Sequence, residues 1–143
     1  MISGEWCGGN IQKYMALSKL PKMSVIFGIS IDDLYLDIQL FKDDFYETAK
    51  INNIYQFHST YNVTIDFNNS KDVEDLMINY SNEIEKECPA CKHFGVSGIG
   101  EGIVWYNKKL SFKTKGVLMA HSTNLSNGIN DIASKIMKMK MEI

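Results

Sequence analysis

Glu101-Gly102-Ile103-Val104-Trp105-Tyr106 and Leu110-Ser111-Phe112-Lys113-Thr114-Lys115-Gly116 flank a short polar connection, Asn107-Lys108-Lys109. Two apolar-rich runs around such a connection predict a β-hairpin. Alternation puts Ser111, Lys113 and Lys115 on one face and Leu110, Phe112 and Thr114 on the other, with Lys113 and Lys115 ~7 Å apart. Two ammonium groups that close repel unless water bathes both or an anion lies between them. Glu101 opens the neighbouring strand between two glycines, where a ligand can approach closely. Phosphate or metal–phosphate chemistry suits this set: lysines neutralise oxygens while a carboxylate holds a divalent cation. An exposed hairpin with solvated charges is the alternative.

Outward from the hairpin, residues 71–87 predict the clearest helix, with Val73, Leu76, Met77, Tyr80 and Ile84 at helical spacing. Ser70 stands at its N-cap, Asp72 in its first turn and Pro89 just past its end. Residues 23–31, Met-Ser-Val-Ile-Phe-Gly-Ile-Ser-Ile, predict a buried strand with Val25, Phe27, Ile29 and Ile31 on one face. Further strands are expected at 34–40, 54–57 and 61–67, a short helix at 43–50, a glycine-rich loop at 95–102 and a tail helix over 129–141. The expected class is α+β, a mostly antiparallel sheet with few helices.

The chain has 143 residues, enough for one core that buries about two-thirds of the unfolded surface. Apolar residues make up 45% and charged residues 22%, which argues against a disordered chain. A net charge of −2 does not advertise a nucleic-acid binder. All fifteen basic residues are lysines, so no guanidinium fork is available to phosphate. No apolar run approaches the ~20 residues of a membrane span, and the N-terminus does not read as a signal peptide. Three cysteines are too few for a disulfide framework, so a cytoplasmic, reducing compartment is expected (host cytoplasm if viral). Cys88-Pro89-Ala90-Cys91 has metal-ligand spacing but no second pair, and His58 and His121 stand apart from any Ser or acid that would complete a triad.

Four segments together resemble the ATP-dependent polynucleotide ligases, most closely the RNA ligases of phages and RNA-editing enzymes. Gly4-Glu5-Trp6 resembles motif III, Ser24-Val25-Ile26-Phe27-Gly28-Ile29 motif IIIa, Glu101-Gly102-Ile103-Val104 motif IV, and Phe112-Lys113-Thr114-Lys115-Gly116 motif V. They stand in the family's order over about residues 4–116. The resemblance implies a nucleotidyltransferase domain over residues 1–127, followed by a C-terminal helix or tail over 128–143. It also implies ATP and RNA ends as partners, Mg²⁺ (or Mn²⁺) as cofactor and no membrane. Carried over residue by residue, Glu5 hydrogen-bonds the ribose, Phe27 stacks on adenine, Glu101 binds or orients the metal, and Lys113 and Lys115 hold the α-phosphate. Phe27 on its strand face also suits a core phenylalanine.

One part of the family pattern is missing. The nucleophilic lysine of a Lys-x-Asp/Asn-Gly segment, which belongs before motif III, does not occur in these residues. Lys92-His93-Phe94-Gly95 has Lys and Gly at that spacing but Phe in the acid or amide position, and it follows motif III. The expectation is therefore an N-terminally truncated domain, with the nucleophile segment supplied in trans. A non-catalytic nucleotide- or RNA-binding fragment or remnant is the alternative.

Overall fold

The computed structural model describes residues 1–41, 49–57, 60–107, 111–116 and 131–141. The fold is α+β, and its strand pairings are antiparallel except one. The chain divides into two compact units. The first comprises Met1–Thr60 with Pro89–Gly98, the second Tyr61–Cys88 with Ile99–Ile143. Among the described residues no helix is long and apolar enough to cross a membrane.

The first unit is built on β2 (Met23–Ile31), the apolar run that the sequence marks as a strand. β1 (Ile2–Cys7) lies antiparallel along it, β3 (Leu34–Leu36) antiparallel and β4 (Ile51–Asn53) parallel. Asp32 and Asp33 both take positive φ, at 47° and 65°, between the paired Ile31 and Leu34. Two consecutive left-handed residues make the tight turn whose twist matches a hairpin, and aspartate tolerates that conformation. The strand expected over 34–40 therefore stops at Leu36 and gives way to a 3₁₀ turn, Ile38–Phe41.

Two further expectations are corrected. Residues 54–57 form a 3₁₀ turn, Ile54–Phe57, rather than a strand. Asn53 is the cause: its side-chain oxygen accepts the Tyr55 N–H at 3.0 Å, its own N–H donates to Gln56 Oε1 at 2.8 Å, and its amide donates to the Ile38 carbonyl at 2.7 Å. An asparagine that captures the backbone two residues on ends a strand locally. Residues 61–67 carry no ladder among the described residues. Their alternation is nonetheless real, since Tyr61, Val63, Ile65 and Phe67 pack inward and the residues between them face out. Period-2 patterning reports one buried face; it does not create a partner strand. The helix expected over 43–50 and the boundary at 127/128 fall largely outside the described residues.

The second unit packs α1 (Lys71–Lys86) and α3 (Asp131–Met141) against the hairpin of β5 (Ile103–Tyr106) and β6 (Ser111–Thr114). Its core holds Val73, Met77, Trp105, Ile132 and Ile136. α1 buries Val73, Met77, Ser81, Ile84 and Glu85, so its inward stripe is partly polar, and Leu76 lies outside it. Ser70 occupies the N-cap position without capping by its hydroxyl, which instead meets Glu74 Oε1 at 2.7 Å. A short helix, α2 (Pro89–His93), belongs to the first unit.

Candidate functional site

In the first unit, Glu5 pairs across the sheet with Val25, and Cys7 with Met23. The register then slips: Gly4 pairs with Ile26 but Ser3 with Gly28, which leaves Phe27 as an extra residue opposite nothing. Such a bulge re-aims a side chain, and everything beyond it changes face. Ile29 and Ile31 thus leave the face of Val25, contrary to simple alternation. Phe27 is 55% exposed, so it is not a core phenylalanine.

Phe27 and Glu5 line one cavity of about 130 Å³, together with Val25, Met23, Cys7, Leu17, Ile54, Phe57, Ala90 and Phe94. Its lining comes entirely from the first unit. Phe57 and Phe94 meet edge to face, with centroids 5.3 Å apart. The carboxylate of Glu5 is held from outside: Gln12 donates its side-chain N–H at 3.0 Å. The Gln12 side-chain oxygen is buried with no partner among the described residues. Burial, and secondarily the charge of Glu5, push the Cys7 thiol up to about 11, so the floor of the cavity carries a neutral thiol. An almost wholly apolar, aromatic-lined concavity suits the face of a flat ring.

In the second unit the ladder pairs Val104 with Lys113 and Tyr106 with Ser111, and these four residues take the exposed face. Trp105 and Thr114 take the buried one. Lys113 Nζ stands 2.8 Å from Glu101 Oε1, with the two side chains 39% and 38% exposed. A half-exposed pair of this kind adds little to stability, about 1 kcal/mol or less. Lys115 follows β6 directly and is half-buried. The structure thus brings together Glu101 with Lys113, and separately Glu5 with Phe27; it gives Lys115 no ion pair within the described residues.

What holds the hairpin was not visible in the sequence. Trp105 Nε1 donates to Thr114 Oγ1 at 2.8 Å, and Thr114 Oγ1 lies 2.6 Å from Ser81 Oγ. Ser81 donates its single hydroxyl proton to the Met77 carbonyl at 2.8 Å, so Thr114 must be the donor to Ser81. The buried chain Trp105–Thr114–Ser81–Met77 ties both strands to α1. Gly102, at φ +144°, permits the approach of strand to strand: a Cβ there would stand 2.2 Å from the Thr114 carbonyl oxygen.

Among the described residues no group of three or more His, Cys, Asp or Glu could cage a metal ion. Glu101 alone is a half-exposed carboxylate beside a lysine. One carboxylate is a donor Mg²⁺ can share with a substrate's phosphates while it keeps most of its waters, once the Lys113 ammonium is drawn away. Cys7, Cys88 and Cys91 form no disulfide. Comparison of the chain with known proteins gives no matching family model, no matching curated protein and no matching solved structure.

Proposed function

We propose that this chain supplies the nucleotide-handling residues of an RNA ligase-like nucleotidyltransferase working in the cytoplasm. The reading rests on the four motif resemblances, and the observation that carries it is the 2.8 Å pairing of Glu101, two residues before β5, with Lys113 on β6. A phosphate oxygen competes for the Lys113 ammonium and frees the Glu101 carboxylate, so anion and cation are taken up together. Mg²⁺, when bound, would be held by Glu101 and would neutralise phosphate oxygens. In the first unit, Phe27 offers its exposed ring to a nucleobase and Glu5 accepts from a ribose hydroxyl.

The reaction implied by the resemblance has three displacements. A lysine nitrogen attacks the α-phosphorus of ATP and pyrophosphate leaves. AMP then passes from that lysine to an RNA 5′-phosphate. Finally a 3′-hydroxyl attacks the 5′-phosphorus, and AMP leaves as the RNA strand is joined. Lys113 and Lys115 stabilise the charge that builds on the phosphoryl oxygens, an effect much larger in a site sheltered from water than in bulk solvent. No Lys-x-Asp/Asn-Gly segment occurs in these 143 residues, and the attacking lysine stands on a separate segment of that kind.

The test mixes the chain with such a segment, Mg²⁺ and ATP labelled at the α-phosphate. Covalent label on the segment, abolished by Lys113→Ala, is the expected result. Tight Mg²⁺–ATP binding without any labelling would instead select the non-catalytic binding module. Absence of binding to either ATP or RNA would sink both readings.

A further inference from the structure

The last turn of α1 touches the candidate site at both of its ends. The Ile84 carbonyl accepts the Gly100 N–H at 3.0 Å, immediately before Glu101. A Cβ on Gly100 would lie 2.7 Å from that carbonyl oxygen and 2.7 Å from Ile84 Cγ2. One residue along the helix, Glu85 is 6% exposed, and its carboxylate rests on Gly116, immediately after Lys115. A Cβ at position 116 would come within 2.1 Å of Glu85 Oε2 and 2.5 Å of Cδ. Glycine is therefore required at both positions by the close approach of the helix. A buried carboxylate is kept where hydrogen bonds or counter-charges offset its desolvation. Nothing in the phosphate chemistry proposed above uses the Glu85 side chain directly.

We infer that Glu85 is a positioning residue: from the last turn of α1 it fixes the Lys115–Gly116 backbone and so sets where the Lys115 ammonium meets phosphate. The inference rests on the nucleotidyltransferase reading of the hairpin. It makes Glu85 act through Lys115 and not by touching the ligand. Its effect must then be confined to the phosphate end of a nucleotide, and it must disappear once Lys115 is gone.

The experiment measures the affinity of the full chain for Mg²⁺–ATP and for adenosine, with the thermal midpoint of each variant alongside. Glu85→Gln is expected to weaken Mg²⁺–ATP at least threefold and to leave adenosine affinity within twofold. In a Lys115→Ala background the same change is expected to have no further effect. Unchanged Mg²⁺–ATP affinity in Glu85→Gln overturns the inference. So does an effect that simply adds to that of Lys115→Ala, or an equal loss of adenosine affinity with a lowered midpoint. If Glu85→Gln does not melt cooperatively, Glu85→Asp takes its place: it keeps the charge but draws the carboxylate back from Gly116, and the same threefold loss and non-additivity are required. Failure of the broader reading is seen separately, in the other chains. A wild-type chain that does not bind Mg²⁺–ATP, or a Lys113→Ala chain that binds it normally, overturns the functional reading and this inference with it.

Discussion

The two units present their candidate residues by opposite means. In the first, an irregularity marks the place: the ladder slips at Phe27, whose exposed ring lines a cavity with Met23 and Val25. In the second, regularity does it: an unbroken ladder sends Lys113 out and Thr114 in, and the inner side is locked by hydroxyl and indole groups against α1. The ring of Phe27 is 55% exposed and can be truncated without emptying the core, whereas the hairpin's outer face cannot shift unless its buried anchor does. The first unit should therefore separate binding from stability, and the second should couple them.

The largest expected effect tests the anchor's helix. Met77 is 1% exposed in the second unit's core, and Met77→Ala should lower unfolding free energy by about 2–5 kcal/mol in urea titration. A loss below 1 kcal/mol would show that α1 is not what the hairpin leans on. Next is Lys113→Ala, for which about 100-fold less adenylyl transfer is expected, with the thermal midpoint nearly unchanged because its ion pair is half-exposed. Thr114→Val should cost about 1–3 kcal/mol, since it strands the Trp105 N–H, and it should also weaken Mg²⁺–ATP binding. A destabilised Thr114→Val chain with wild-type affinity would break the claim that the second unit couples the two.

Phe27→Ala tests the other side of the comparison. Loss of one stacking surface should reduce adenosine and ATP affinity alike by about tenfold. Its stability should stay within about 0.5 kcal/mol, because the ring is half in solvent. Smallest is the response of Cys7 to alkali. Its folded pKa of about 11 lies above the ~8.5 of an unfolded thiol, so between those values the unfolded chain has released a proton that the folded chain keeps. Stability from this group is intact below about pH 8 and falls above it by at most about 1.4 kcal/mol per pH unit. Subtracting the denaturation profile of Cys7→Ala isolates that slope; identical profiles would place the thiol in water.

Much of the local structure was legible because it is written in spacing. The i, i+4 and i, i+11 positions of α1 and the alternation of β6 each state which face is buried, and the structure keeps those faces; the apolar run of β2 states the strand but not its faces, which shift at the bulge. That the strand after Glu101 pairs with the strand of Lys113 was legible from the hairpin pattern, but their ion pair was not, because the ladder sets Val104, not Glu101, opposite Lys113. Gln12, Ser81 and Glu85 carry no local signal in the sequence. Each matters through a residue distant in sequence or through a backbone approach that only glycine admits.

Composition, periodicity and turn chemistry by themselves determined that this is an α+β chain whose hairpin carries an acid and lysines. Those properties depend on neighbours within a few residues. The tertiary structure alone decided that Phe27 is exposed, that residues 54–57 form a 3₁₀ turn, that residues 61–67 carry no ladder among the described residues, and that Gly100 and Gly116 yield to α1. Bulges, missing partners and close packing depend on which surfaces meet, and a one-dimensional pattern fixes which faces are buried without fixing what buries them.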